Sequence, residues 1–202
     1  MLSFDHIAIS AETLAAGVEA VEAALGVRLA PGGQHPHMGT HNRLLNLGDI
    51  YLEVIAIDPA APAPAWPRWF DLDHFSGPPA LTNWVARSDD LTADLALAPP
   101  GTGIPIALTR GMYAWAMAVP PDGKLPYDGA YPALIQWQPP HHPAQNLPES
   151  HIRLTALHID HPQPDALRQA LHIHDARILI SHGPQKLLSA SFATPHGPRH
   201  FP

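Results

Sequence analysis

Proline divides this chain. Its 25 prolines gather at 59–67, 99–105, 120–126 and 139–148, and a residue without an amide hydrogen cannot sit in a central sheet ladder. Those stretches are therefore connections, and the apolar runs between them are the strands. "FDHIAIS" (4–10) alternates and is rich in β-branched residues, then gives way to "SAETLAAGVEAVEAALGV", where the apolar positions adopt helical spacing. Ser10 is placed to cap this helix, Glu12 stands in its first turn, Leu14, Val18, Val21 and Leu25 share one face, and Gly26 supplies the stop. A short strand or turn "VRLAPGG", a strand "HNRLLNL", the tight turn "GD" and a strand "IYLEVIAID" complete a βαβββ unit.

The order recurs. "LTNWVARS" runs into "DDLTADLAL" and, after a proline-rich break, into "GIPIALT", "MYAWAMAVP" and "YPALIQWQP". A third passage opens with "IRLTALHID", continues through the helix "PDALRQALHI", with Pro164 suited to its first turn, and ends in "ARILIS", "QKLLSASFAT" and "PRHFP". Strand–helix starts near residues 5, 82 and 155 imply an internal repeat of about 75 residues. The expected architecture is α+β, built from repeated βαβββ units. Residues 1–60 form the first, 78–145 the second, paired with it as one domain, and 150–202 a shorter third. One helix per unit covers one face of its sheet. Paired units thus give a curved mixed sheet with helices outside and a concave ligand-binding face inside.

Composition narrows the function classes. With 46% hydrophobic and 14% charged residues the chain can build a full core. A formal charge of −7 argues against a phosphate-tracking surface, so no nucleic-acid partner is expected. Without cysteine there is no disulfide, thiolate nucleophile, Cys-ligated zinc or iron–sulfur cluster. The start "MLSFDHIAIS" lacks the basic region and apolar run of a signal peptide, and no apolar run reaches membrane-span length. A soluble, cytoplasmic monomer or homodimer with no membrane partner is expected. Neither a Gly-x-Ser-x-Gly elbow nor a phosphate-binding glycine loop is present.

The densest chemistry lies in "GGQHPHMGTHNRLLNLGDIYLEVIAID" (32–58). Alternation along the last strand turns Leu52, Val54 and Ala56 towards the helix layer and Tyr51, Glu53 and Ile55 to the other side. Glu53 therefore faces the cavity, where a carboxylate among apolar neighbours needs a partner. His35 and His37 flank Pro36 and share a face of an extended segment. They read as loop histidines, as two metal donors short of a set, or as donors to an oxygen-rich ligand beside Thr40, Asn42 and Arg43. Arg110, at the end of an apolar strand, can hold a substrate carboxylate bidentately or lie on the surface. Trp115 is the better candidate for a pocket wall and Trp137 for packing, while "HH" (141–142), "HIH" (172–174) and "HGPRHFP" read as surface residues.

The blocks "DHIAIS", "APGGQHPHMGTHNRLLNLGDIYLEVIAID" and "YPALIQWQPPHHPA", with the repeat order across nearly the whole chain, resemble the vicinal oxygen chelate superfamily. That superfamily is the glyoxalase, bleomycin-resistance and extradiol-dioxygenase group, and the likeness is to its glyoxalase-like domain branch. The resemblance implies a divalent metal ion held by the first and last strands of each unit, often by two His and two Glu. The matching positions are His6 and Glu53 in the first unit, but Asn83 and Gln136 in the second. The implied metal site, His6, Glu53 and Gln136, is thus incomplete. Gln136 can ligate through its carbonyl but cannot accept a proton. Ordinary glyoxalase I activity is therefore not expected, and Glu53 and His6 are left as the catalytic candidates.

The expected ligand is a small oxygenated organic molecule, bound by His6, Asn42, Glu53, Arg110 and Gln136. With a metal as Lewis acid the chain would be a lyase, isomerase or dioxygenase. Without one, a His6–Glu53 hydrogen bond would serve acid–base chemistry. The alternative is a non-catalytic binder, like the antibiotic-sequestering members.

Overall fold

The computed structural model describes residues 1–139 and 141–202. Pro140, within the block "YPALIQWQPPHHPA", lies outside the described residues. The first unit comprises β1 (Ser3–Ser10), α1 (Leu14–Leu25), β2 (Ala30–His35), β3 (Thr40–Asn46) and β4 (Tyr51–Ile57). The second comprises β5 (Ala80–Arg87), α2 (Leu91–Leu97), β6 (Ile104–Arg110), β7 (Tyr113–Val119) and β8 (Ala133–Trp137). Their strands form one curled eight-stranded sheet in the order β2-β3-β4-β1-β5-β8-β7-β6. Within each unit the first strand runs parallel to the last, and β1 and β5 join the units antiparallel at the centre. The proline argument holds at the level of single strands: Pro31 in β2 and Pro105 in β6 occupy the two sheet edges, where a missing amide hydrogen breaks no central ladder.

The remaining chain adds α3 (Pro143–Asn146), β9 (Arg153–His161), α4 (Pro164–Ala170), β10 (Ile178–His182), β11 (Leu187–Thr194) and β12 (Gly197–Phe201). These strands make a separate sheet in the order β10-β9-β11-β12, with β9 inside it and parallel to β10. Its apolar face, with Leu157, Ile159, Leu188 and Phe192, joins one core with Ile7, Leu52, Val54 and Trp84 of the large sheet and Val21 and Leu25 of α1. The second sheet therefore packs on the convex side. Helices of 12 and 7 residues cannot cover eight strands, and the second sheet supplies the rest of the cover. Among the described residues no helix is long and apolar enough to cross a membrane.

Two local expectations are corrected. Thr13, not Ser10, caps α1, accepting from the Ala16 amide at 3.2 Å. Ser10 stays in β1, its hydroxyl 2.6 Å from that of Thr82, because the strand pairs with β5 as far as this residue. Glu12 accordingly lies before the helix and accepts from the Gly77 amide at 2.8 Å. Gly26 does end α1 in the left-handed region, at φ 72°. Gly17 is buried in mid-helix for a different reason: a Cβ there would stand 2.5 Å from Val54 Cγ1, so only glycine lets α1 settle this close to β4.

Candidate functional site

The concave face carries its own apolar cluster, with Ile55 of β4, Val85 of β5, Trp115 and Met117 of β7 and Ile135 of β8. A turn of 3-10 helix, Trp69–His74, brings Trp69 and Phe70 over one end. Between them lies a narrow, nearly filled cleft of about 30 Å³ into which His6, His35, Asn42, Tyr51, Glu53 and Arg110 converge.

A bulge in β1 makes this convergence possible. Against β5, Phe4 pairs with Ala86 and His6 with Val85, so Asp5 is the extra residue between them. Phe4 packs edge-on to Trp84 on the convex side at 5.4 Å, whereas Asp5 and His6 both belong to the concave side. Asp5 is fully buried and accepts three hydrogen bonds: from His6 Nδ1 at 2.6 Å, from Trp137 Nε1 at 3.0 Å and from His142 Nε2 at 3.0 Å. Burial alone would raise its pKa, but hydrogen bonds from His142 and His6 outweigh this and hold the carboxyl well below the usual range.

The chain of contacts runs on from His6. Its ring stacks on Tyr51 at 4.3 Å, and its Nε2 is 3.6 Å from Glu53 Oε2, an ion-pair distance rather than a hydrogen bond. Glu53 Oε1 accepts from Asn42 Nδ2 at 2.6 Å, and Asn42 Oδ1 accepts from the Gly33 amide at 2.8 Å and from Arg110 Nη1 at 3.2 Å. Arg110 Nη1 also donates to His35 Nε2 at 2.9 Å. That bond leaves the His35 proton on Nδ1, 3.1 Å from the Thr40 hydroxyl. The edges of the curled sheet, β2 and β6, approach here: a Cβ on Gly33 would meet Arg110 Cδ at 2.7 Å.

These contacts set the ionisation states. Burial works against a charge on His6, yet Asp5 and then Glu53 raise its pKa to about 9, so it is an imidazolium at neutral pH. Burial would raise Glu53, but His6 holds it down at about 2. His35 is neutral: burial lowers it to about 4, and Arg110 adds to the effect. Burial also pushes the Tyr51 phenol well above its usual value. Asp5, His6, Glu53 and Arg110 thus alternate in sign through a buried network.

Not every expected residue enters the cleft. Gln136 faces the opposite way, capping α2 by accepting from the Leu91 amide and donating to the Asp89 carbonyl, each at 3.0 Å. On β8 it is Ile135 and Trp137 that reach the cleft. His37 is exposed and lies against Trp66 at 4.4 Å, while His35, two residues earlier, is buried. Trp115 lines the cleft, and Trp137 lines it too. His142 is not a surface residue: it is buried, caps α3 by accepting from the Ala144 amide and donates to Asp5. Asp5, Tyr51 and His142 were absent from the sequence-derived set. A "DH" pair at a strand start was the available signal for Asp5, but alternation assigns one of the two to the wrong face.

This donor set does not fit the metal implied by the resemblance. The His6 nitrogens are committed to Asp5 and towards Glu53, Glu53 is engaged by Asn42, and the second unit presents Val85, Ile135 and Trp137 instead of ligands. Among the described residues no three His, Asp or Glu side chains are grouped to hold a metal ion.

Two βαβββ units joined in a curled eight-stranded sheet around a polar cleft make this a vicinal oxygen chelate protein. The glyoxalase-like domain family matches residues 4–174, and the chain belongs to that family. No curated protein matches it. Among solved structures, a hypothetical protein from Staphylococcus aureus is similar with a TM-score of 0.61 and 13% identity, over 93% of this chain and 88% of that one. Methylmalonyl-CoA epimerase from Mycobacterium tuberculosis gives 0.45 and 16% over 68% of this chain and 88% of its own. A Streptomyces coelicolor methylmalonyl-CoA epimerase in complex with 2-nitronate-propionyl-CoA gives 0.42 and 17% over 66% and 94%. At these identities the likeness is one of fold.

Proposed function

We propose that the cleft binds a small organic oxyanion, a carboxylate or an enolate-like oxygen pair, with Arg110 and His6 as its cationic end and Trp115, Trp137 and Phe70 as its apolar walls. The observation that carries this reading is Arg110. Its guanidinium lines the cleft, is fixed by the neutral acceptors His35 and Asn42, and makes no ion pair among the described residues. A guanidinium held in place without a carboxylate of its own is prepared for one brought by a ligand.

The same geometry bears on catalysis. Glu53, held at about 2, is a weak base, and His6, held at about 9, already carries its proton. His6 is therefore suited to donating a hydrogen bond, or one proton, from Nε2 to a ligand oxygen, while Glu53 can only accept, and neither is suited to abstracting a proton from carbon. Binding, with at most acid assistance by His6, is the function this arrangement supports best.

Isothermal titration with formate, acetate and lactate, set against methanol and acetamide, tests the reading. The carboxylates should bind saturably, and Arg110→Gln should weaken them at least tenfold. Equal binding of the neutral compounds would refute it. Incubating a bound 2-hydroxy acid with protein in D2O separates the alternatives: deuterium entering its carbon skeleton would mean that the site moves protons to and from carbon.

A further inference from the structure

A second cleft, of about 410 Å³, opens beyond Phe70, which is a wall of both. It lies between the turn that carries Phe70 and Asp71, residues Thr82 and Asn83 of β5, the loop 124–129 and Lys186, which precedes β11. We infer that it is a separate binding site for a small monocarboxylate, anchored by Lys186 and Asn83.

Asn83 is 4% exposed, yet its carboxamide makes no hydrogen bond to any described residue and lines the cleft. Its amide reaches the solvent of the cleft, where a ligand can engage both its donor and its acceptor. Beside it, Lys186 Nζ donates to the Thr82 carbonyl at 2.7 Å and makes no ion pair among the described residues, although three donors are available to an ammonium. Burial pushes this lysine down to about 8, so an anion that restored its charge balance would be favoured. Gly129, at φ 85°, completes the cradle: a Cβ on it would stand 3.0 Å from Asn83 Nδ2 and 3.7 Å from Lys186 Nζ.

The walls are held in unusual backbone. Phe70 and Asp71 have φ of 59° and 53°, and Tyr127 and Asp128 both have 55°. Side chains rarely adopt this region, and such strain collects at ligand clamps. Asp71 and Asp128 also bring two carboxylates to the cleft against Lys124 and Lys186. A phosphate dianion would meet that negative rim with twice the charge, whereas a single carboxylate can reach Lys186 and Asn83 with less opposition.

The test follows the amide of Gly129 and the Cε signal of Lys186 in labelled protein titrated separately with acetate, glycine, benzoate and inorganic phosphate. A carboxylate should shift both signals saturably. Lys186→Met and the isosteric Asn83→Asp should each weaken that titration at least tenfold, while Arg110→Gln leaves it unchanged. Three results would overturn the assignment: no saturable shift with any carboxylate, tighter binding of phosphate, or loss of the titration in Arg110→Gln, which would place the ligand in the first cleft. Because Arg110→Gln touches only the first cleft, failure of that site leaves this one standing, and the reverse.

Discussion

Raising the pH from 7 to 8 should destabilise this protein, and the cleft says by how much. His6 titrates at about 9 when folded and near 6.5 when unfolded. Its pKa is raised on folding, so its contribution is fully present below 6.5 and is lost as the pH climbs to about 9. In full it is about 3 kcal/mol, from the gap between those values at 1.36 kcal/mol for each tenfold. His35 works in the opposite sense: it is held at about 4, so folding is penalised as the pH falls below 6.5. Summing the two titrations gives a dome with its maximum at about pH 6.5. From pH 7 to 8 the net loss is about 1 kcal/mol, and from 6.5 to 5 His35 alone removes a further amount of about 1.5 kcal/mol. Lys186, lowered to about 8, already offsets roughly 0.3 kcal/mol of the loss between pH 7 and 8 and more above it, so the total fall over that interval is about 0.7 kcal/mol. Urea unfolding followed by tryptophan fluorescence at half-unit steps measures the dome, and the His6 Cε1–H resonance gives its titration directly. A His6 midpoint below 6.5, or stability that rises between pH 7 and 8, would refute the assignment of His6 as the buried cation between Asp5 and Glu53.

Glu53→Gln keeps an acceptor for Asn42 but removes one of the two charges that hold the His6 proton, so the His6 midpoint should move down in the same resonance titration. Gly17→Ala should lower the unfolding free energy from urea titration by about 1–3 kcal/mol, because overpacking against Val54 exceeds the gain of about 1 kcal/mol in helix propensity; a more stable variant would show that α1 can move off β4. Thr13→Ala should cost about 1 kcal/mol through the lost cap of α1, measured the same way. Gln136→Leu should lower stability by about 1 kcal/mol through uncapping of α2, yet leave carboxylate binding in the first cleft within twofold; loss of binding would return Gln136 to the site.

The fold was legible where local chemistry decides it. Edge prolines, the period change after "FDHIAIS" and the glycine stop of α1 are each determined within a few residues. So is the direction of Glu53, because β4 pairs without a break from Thr40↔Ile57 to Asn46↔Tyr51 and alternation survives along its length. What the repeat order could not reveal is pairing. The third passage has strand, helix and three strands like the others, but its first strand lies between β10 and β11, and choosing that arrangement depends on which convex surface the large sheet leaves bare.

The site was half legible for a related reason. His35, Asn42, Glu53, Arg110 and Trp115 meet because each obeys its strand's alternation. Asp5 escapes because one bulge breaks that alternation, and His142 escapes because its partner is 137 residues away. Those two residues change the chemistry most. Without Asp5, His6 would face Glu53 alone across 3.6 Å, a contact too long to hold a buried proton firmly. With Asp5 at 2.6 Å, itself fixed by His142 and Trp137, the imidazolium is held from behind. A histidine protonated in that way is already committed as a cation. The bulge that turns Asp5 inward therefore leaves His6 as a hydrogen-bond donor between two carboxylates, the state on which the proposed binding of a ligand oxygen depends.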